Sequence, residues 1–255
     1  MTKEERHNLI IQTLCKQESA SVAQLADLLE VSTVTIRKDL SELESLKKLY
    51  RSHGNAILIN PYINNRTISE KAKLASNEKN LIGHYAAGLI TKDDSIIIAS
   101  GTTMLALANN VEPLHHLTAI TSSLNVAETL GINKDIDVVQ LGGNLRQSSL
   151  STVGRTAEDF LSGLAVSKLF LGVDGFDIDF GISTTDIREA DLNRAMIQAA
   201  QQTIVLADST KFGRRGFVKI VGFEQVDILI TDSRLPDKAA SALEANGVDV
   251  TIVEI

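Results

Sequence analysis

Ser100-Gly101-Thr102-Thr103 closes an apolar run and opens a helix-like stretch. Glycine permits the tight turn, and hydroxyls beside unpaired backbone N–H groups at a helix start suit a phosphate. Thr121-Ser122-Ser123 repeats the arrangement after the next apolar run. After the third, Gly142-Gly143-Asn144-Leu145-Arg146 adds pliable backbone and one cation. A single turn of this kind is as readily an ordinary helix cap. Three in succession, with an arginine, point to a pocket for an anion. Further on stand Asp174, Arg188-Glu189, Asp208 and Lys211, again beside apolar runs. Carboxylates and a lysine gathered there could hold sugar hydroxyls or move protons. Equally, Asp174 and Asp208 could cap loops and Lys211 could face water. No Cys/His spacing suits a metal, and no Walker motif, nucleophile elbow or dinucleotide fingerprint is present, so neither metal nor cofactor is expected.

A different chemistry belongs to Ser32-Thr33-Val34-Thr35-Ile36-Arg37-Lys38-Asp39-Leu40. Ile36, Leu40 and Leu43 recur at the spacing of one helix face. The other side and its flanks carry Val34, Thr35, Arg37, Lys38 and Ser41. Hydroxyls and cations near a helix start, backed by an apolar stripe, suit a helix that reads the major groove of DNA. An ordinary surface helix of a helical pair would share part of this pattern.

The surrounding elements favour the DNA reading. Residues 4–17 form a first helix with Leu9, Ile10 and Leu14 inward. Ser21 to Gln24 has the form of a capping box before a second helix, Val22–Glu30. Ser32 is the expected cap of the third helix, which runs to about Lys47. Leu49–Ile59 alternates apolar and polar residues around Gly54-Asn55, as a β-hairpin does. A hairpin directly after such a helix is the order of a winged helix, with Arg51 and His53 on the wing near the DNA backbone. The DNA-contacting set is then Ser32, Thr33, Thr35, Arg37, Lys38, Arg51 and His53.

From Lys92 onward, short runs rich in Ile, Val and Leu alternate with helical stretches such as Thr103–Asn109, Leu124–Leu130 and Arg188–Gln201. That alternation predicts an α/β unit with a mostly parallel sheet covered on both faces. Ligands bind beyond the carboxyl ends of such strands, where the polar motifs fall. The expected division is a DNA-binding domain over 1–60, a linker over 61–80 with a helix beginning near Ser69, and an effector-sensing domain over 81–255.

The net charge of −7 is not that of a typical DNA binder. Residues 1–60, however, are neutral, and Ser32 to Asn55 carries five cations against three anions. Attraction to DNA depends on the local patch, so modest affinity per copy and a need for oligomerisation are expected. No apolar run approaches 18 residues, no secretory signal is visible, and the lone Cys15 cannot form an internal disulfide. The expected compartment is the cytoplasm.

Taken together these motifs resemble the DeoR family of transcriptional regulators over nearly the whole chain. The resemblance rests on Gln24-Leu-Ala, Thr35-Ile-Arg37-Lys38-Asp39-Leu40 and the wing Arg51-Ser-His53-Gly54. It continues through Ser100–Thr103, Thr121–Ser123, Leu141-Gly-Gly143, Gly172-Val-Asp174-Gly175 and Ala207-Asp-Ser-Thr-Lys211. The family's wing turn usually has two glycines; here the second is Asn55, which also tolerates positive φ. The resemblance implies a sensor domain similar to ribose-5-phosphate isomerase, in which Ser100–Thr103 matches the phosphate loop. Asp174, Glu189 and Lys211 match active-site positions of the isomerase. Its multi-glycine loop with a lysine is not matched by Asp179–Thr185. The implied function is a DNA-binding repressor of sugar or polyol catabolism genes, working as a dimer or tetramer on double-stranded operator DNA. Its implied effector is a phosphorylated sugar or polyol, held by Gly101, Thr102, Thr103, Ser122, Ser123, Gly143, Arg146, Asp174, Glu189 and Lys211. The alternative is an aldose–ketose phosphate isomerase with an accessory domain.

Overall fold

The computed structural model describes residues 1–17, 19–46, 48–52, 54–58, 68–112 and 116–255, without the side chains of Cys15, Lys16, Ser52 and Leu58. The chain divides into two compact units, Met1–Asn64 and Asn65–Ile255.

The first unit runs α1 (Lys3–Gln17), β1 (Ser19–Ser21), α2 (Val22–Leu29), α3 (Thr33–Ser45), β2 (Leu49–Ser52) and β3 (Asn55–Leu58). The capping box forms: Ser21 accepts from the Gln24 amide, and Gln24 accepts from the Ser21 amide. Ser32 caps α3 by accepting from the Thr35 amide at 3.1 Å. Ile10, Leu14, Leu25, Ile36, Leu40, Leu43 and Leu49 close a small core. Leu9 does not join it. One residue before Ile10 on the helix, it is turned about 100° away and stays exposed. The hairpin gains an unexpected third strand, in the order β1-β3-β2. Among the described wing residues only Gly54 has positive φ; Asn55 is already in strand β3. Asp39, buried on α3, accepts from Arg6 and His7 of α1. Burial pushes its carboxyl up, but the Arg6 bonds and charge outweigh this and hold it below the usual range.

The second unit begins with α4 (Ile68–Ala72), α5 (Ser76–Ala87), β4 (Ser95–Ile98), α6 (Thr102–Ala108), β5 (Leu117–Thr121), α7 (Leu124–Gly131) and β6 (Ile136–Gln140). It continues with β7 (Asn144–Arg146), β8 (Ser151–Val153), α8 (Arg155–Leu161), β9 (Val166–Gly172), β10 (Gly175–Asp177), β11 (Gly181–Thr184) and α9 (Ile187–Ala199). It closes with β12 (Ala200–Leu206), β13 (Val218–Val221), β14 (Ile228–Asp232), α10 (Asp237–Ala245) and β15 (Asp249–Val253). The expected α/β architecture is present: seven strands in the order β15-β14-β12-β9-β4-β5-β6, all paired in parallel. Their side chains, such as Ile96, Ile97, Leu169, Phe170, Ile204 and Leu229, are buried. Continuous apolar strands suit a sheet covered on both faces.

Three expectations need correction here. The helix expected near Ser69 is present as α4, but together with the start of α5 it belongs to the α/β unit, so 68–80 is not linker. The helix expected over Arg188–Gln201 ends at Ala199, because the chain pairs with β9 from Ala200 onward. The pliable turn at Gly142–Arg146 is one arm of a hairpin, β7 with β8. A small antiparallel sheet, β10-β11-β13, was not anticipated. Among the described residues no helix is long and apolar enough to cross a membrane.

The strand order changes direction between β4 and β9. From β4 the chain moves through β5 to β6; from β9 it moves the opposite way through β12. Such a switch point opens a crevice at the carboxyl ends of its two strands, and the polar motifs lie there.

Candidate functional site

On the first unit, α3 presents Thr33, Val34, Arg37, Lys38 and Ser41 to solvent. Among the described residues neither Arg37 nor Lys38 has an ion-pair partner. Ser32 and Thr35 are spent on the cap, their hydroxyls 2.9 Å apart. Arg51 donates from Nε to Glu44 at 2.8 Å and from its amide at 2.9 Å, which fastens β2 to α3. It is therefore less free for a DNA phosphate than its place on the wing suggests. His53 lies outside the described residues. Val34, on the outward side but not in the expected DNA-contacting set, is 58% exposed in the middle of this polar face. An apolar side chain there suits a thymine methyl group.

On the second unit, the crevice gathers charge. Asp174 follows β9, and its Oδ1 accepts from Lys71 Nζ of α4 at 2.6 Å. Its Oδ2 accepts from Thr184 and Thr185 hydroxyls at 3.2 and 3.1 Å. Glu189, in the first turn of α9, accepts from Thr184 at 3.0 Å and from Ser100 beyond β4 at 3.3 Å. Arg146 Nη1 stands 3.3 Å from Glu189, and its Nε donates to Asp186 at 3.3 Å. Asp186 in turn caps α9. Thus the Thr184 hydroxyl of β11 stands between two half-buried carboxylates, and cations flank both.

The electrostatics separate the two acids. Burial pushes Asp174 up, but the charges of Lys71 and Lys211 hold it far below the usual range. Burial and the neighbouring Asp174 charge push Glu189 up, against the pull of Arg146 and Lys71. Burial pulls Lys211 down, although Asp174 and Asp208 partly restore it. Lys79 of α5 is pulled by burial to about 8, and it donates to the carbonyls of Lys71 and Leu74 at 2.7 and 2.6 Å.

Beside this cluster, Gly101 starts α6 at φ 124° and provides no side-chain cap. The first N–H groups of that helix are thus left for another acceptor. Thr102 lines a cleft of about 350 Å³ with Ser69, Ser76, Lys79, Asn109 and Asn125, and Thr103 is buried just behind it.

Ser122 and Ser123 do not join the crevice in the expected way. Both are buried. Ser123 caps α7, its amide donates to Thr121, and the Leu124 amide donates to the Leu150 carbonyl. The Ser123 and Leu124 amides of that turn are thus consumed inside the protein. Gly143 has a backbone role: at φ 135°, a side chain would meet the Val153 carbonyl at 2.7 Å. It lets the hairpin close and so places Arg146. Lys71, Lys79, Thr184 and Thr185 were not singled out from the sequence. The lysines fell in a stretch read as linker, and nothing in their spacing marks them.

A DeoR-like helix-turn-helix domain matches residues 6–62, and a DeoR C terminal sensor domain matches residues 74–233. The HTH-type transcriptional repressor GlcR of Bacillus subtilis (strain 168) is 35% identical over 255 residues, 100% of this chain and 98% of that protein. The glycerol-3-phosphate regulon repressor of Escherichia coli (strain K12) is 32% identical over 236 residues, 92% of this chain and 93% of that protein. A solved D-ribose-5-phosphate isomerase in complex with phospho-erythronic acid gives a distant, partial likeness. Its TM-score is 0.40 at 15% identity, covering 54% of each chain.

Proposed function

The chain belongs to the DeoR family of DNA-binding transcriptional regulators, and from that premise we propose that it represses carbohydrate or polyol catabolism genes under the control of a phosphorylated sugar or polyol. It is a regulator and not an enzyme. α3 reads double-stranded operator DNA with Thr33, Val34, Arg37 and Lys38, while Ser32 and Thr35 shape the helix start and Arg51 and His53 serve the wing. The near-neutral charge of residues 1–60 supplies little attraction per copy, so the regulator works as a homo-oligomer on paired half-sites. It acts in the cytoplasm.

The observation that carries the effector reading is the set of cations at the switch point: Lys71, Arg146 and Lys211 around Asp174 and Glu189. Burying Lys211 costs it charge, and a phosphate dianion would offset that cost. The open N–H groups of α6 beyond Gly101 lie on the phosphate side, with Thr102 and Thr103 beside them. Asp174 and Glu189 accept from sugar hydroxyls at the other end. A polarised pocket of this kind favours a ligand with a phosphate at one end and hydroxyls at the other.

A melting-temperature screen of the full chain against phosphorylated sugars and polyols tests this. A ligand at 100-fold its Kd adds about 2.7 kcal/mol to the folded state, a rise of several degrees for a unit of this size. Its unphosphorylated counterpart should give no rise. Equal stabilisation by the two forms, or by neither, would remove the phosphate from the reading.

A further inference from the structure

The segment α4 is held in place unlike any ordinary helix of a folded core. None of its five residues is buried, and Ile68, Ser69 and Ala72 border the 350 Å³ cleft instead of a packed interior. Polar contacts tie it down. The Ile68 amide donates to the Ser148 carbonyl at 2.9 Å, in the hairpin turn two residues past Arg146. Lys71 Nζ reaches Asp174. Lys79 holds the Lys71 and Leu74 carbonyls from below. Each tether therefore ends on, or next to, a member of the charged cluster. In the chain, α4 is also the first described element after β3 of the DNA-binding unit, with residues 59–67 between them.

We propose that Lys71 is an effector-binding residue and that its ion pair with Asp174 is the contact by which effector occupancy is relayed to the DNA-binding unit. This rests on the reading that the crevice takes a phosphorylated ligand. A phosphate dianion offers Lys71 more negative charge than the Asp174 carboxylate does. A ligand hydroxyl then donates to Asp174 in place of the lysine. Exchange of partners moves Lys71, and α4 follows because no buried side chain anchors it. The segment that begins the α/β unit thus has two positions, one for the empty and one for the filled crevice. A ligand shifts such an equilibrium only by binding the two states differently, and the ion pair is where they differ. A ligand that carries phosphate without hydroxyls takes Lys71 but leaves Asp174 Oδ1 without its donor, while Oδ2 keeps Thr184 and Thr185, so the relay selects for both groups.

The test needs no effector. Operator duplexes are selected from a random library with the full chain, and their Kd is measured by fluorescence anisotropy for the wild type, Lys71→Met, Asp174→Asn and the double variant. Each single change breaks the same pair, so each should shift operator affinity at least fivefold in the same direction. The double variant should shift it no further. Lys71→Arg keeps the pair and should retain wild-type affinity. Single variants within twofold of the wild type at unchanged melting temperature would overturn the proposal, as would effects that multiply in the double variant. Should the variants not fold, hydrogen exchange on the wild type decides. Coupling is reciprocal, so operator DNA must change the exchange rate of the Ile68 amide several-fold. An unchanged rate overturns the relay. A failed phosphosugar screen would leave these results standing, whereas a flat cycle would leave the effector reading intact and remove Lys71 from it.

Discussion

Alanine at both Arg37 and Lys38 is expected to weaken operator binding by roughly 100-fold or more while leaving the melting temperature unchanged. The two side chains are exposed on α3, and among the described residues neither has an ion-pair partner. They therefore carry no stability that their loss would remove. Each bidentate contact to a base edge is worth about 1–3 kcal/mol, and the proposed homo-oligomer on paired half-sites would lose it in each half. The single variants also separate the two kinds of contact. A residue that reads a base should relax sequence preference, whereas a residue on a phosphate should lower the salt slope by about one. Anisotropy titrations at several salt concentrations resolve this. Unchanged operator affinity in the double variant would take α3 out of the interface.

Arg146→Met is the second large effect, and it acts on stability and signalling together. Arg146 is 8% exposed and stands between Asp186 and Glu189. Its loss leaves Glu189 without its paired cation in a low-dielectric crevice, and Asp186 with only the exposed Arg188. Breaking a buried pair in this way costs about 3 kcal/mol, taken at the low end because Asp186 and Glu189 keep some contact with water. For a unit of 150–250 residues that corresponds to a melting temperature lower by roughly 10 °C. The effector response should disappear in the same variant. A variant that melts normally and still responds would mean that Arg146 neither braces the crevice nor meets the ligand.

The two ends of the chain differ in how much their residues disclosed. In the first unit, function and local structure use the same signals. The Ser21–Gln24 box and the Ser32 cap are short-range hydrogen bonds, so spacing alone exposes them. The apolar stripe Ile36, Leu40, Leu43 likewise fixes which face of α3 is left exposed. What stayed hidden there depends on contacts between elements. Examples are Arg51 pairing with Glu44 and Arg6 reaching Asp39. In the second unit, alternating runs announce a parallel sheet, and its topology predicts where a ligand sits. The crevice's membership, however, is set by long-range pairing. Asp174 and Lys71 are 103 residues apart, and Ser100 and Glu189 are 89 apart. Lys71 lies in a stretch with no apolar periodicity because its helix buries nothing. That polar character made 68–80 read as linker. Ser123 is ambiguous for the opposite reason: a hydroxyl after a strand suits a phosphate and a buried helix cap equally, and in the structure it caps α7.

The central claim is that a phosphorylated sugar or polyol in the α/β crevice controls DNA binding by the first unit. It is tested most directly by operator titrations of the full chain at fixed salt, with each phosphorylated compound and its unphosphorylated form present in turn. One phosphorylated compound should change the operator Kd by roughly 5–150-fold, the usual range of coupling between two sites. Its unphosphorylated form should change nothing. Calorimetric titration of that compound into the chain, with and without operator, should then show the same factor in the ligand's own Kd. An operator Kd that stays constant across the whole panel would contradict the account.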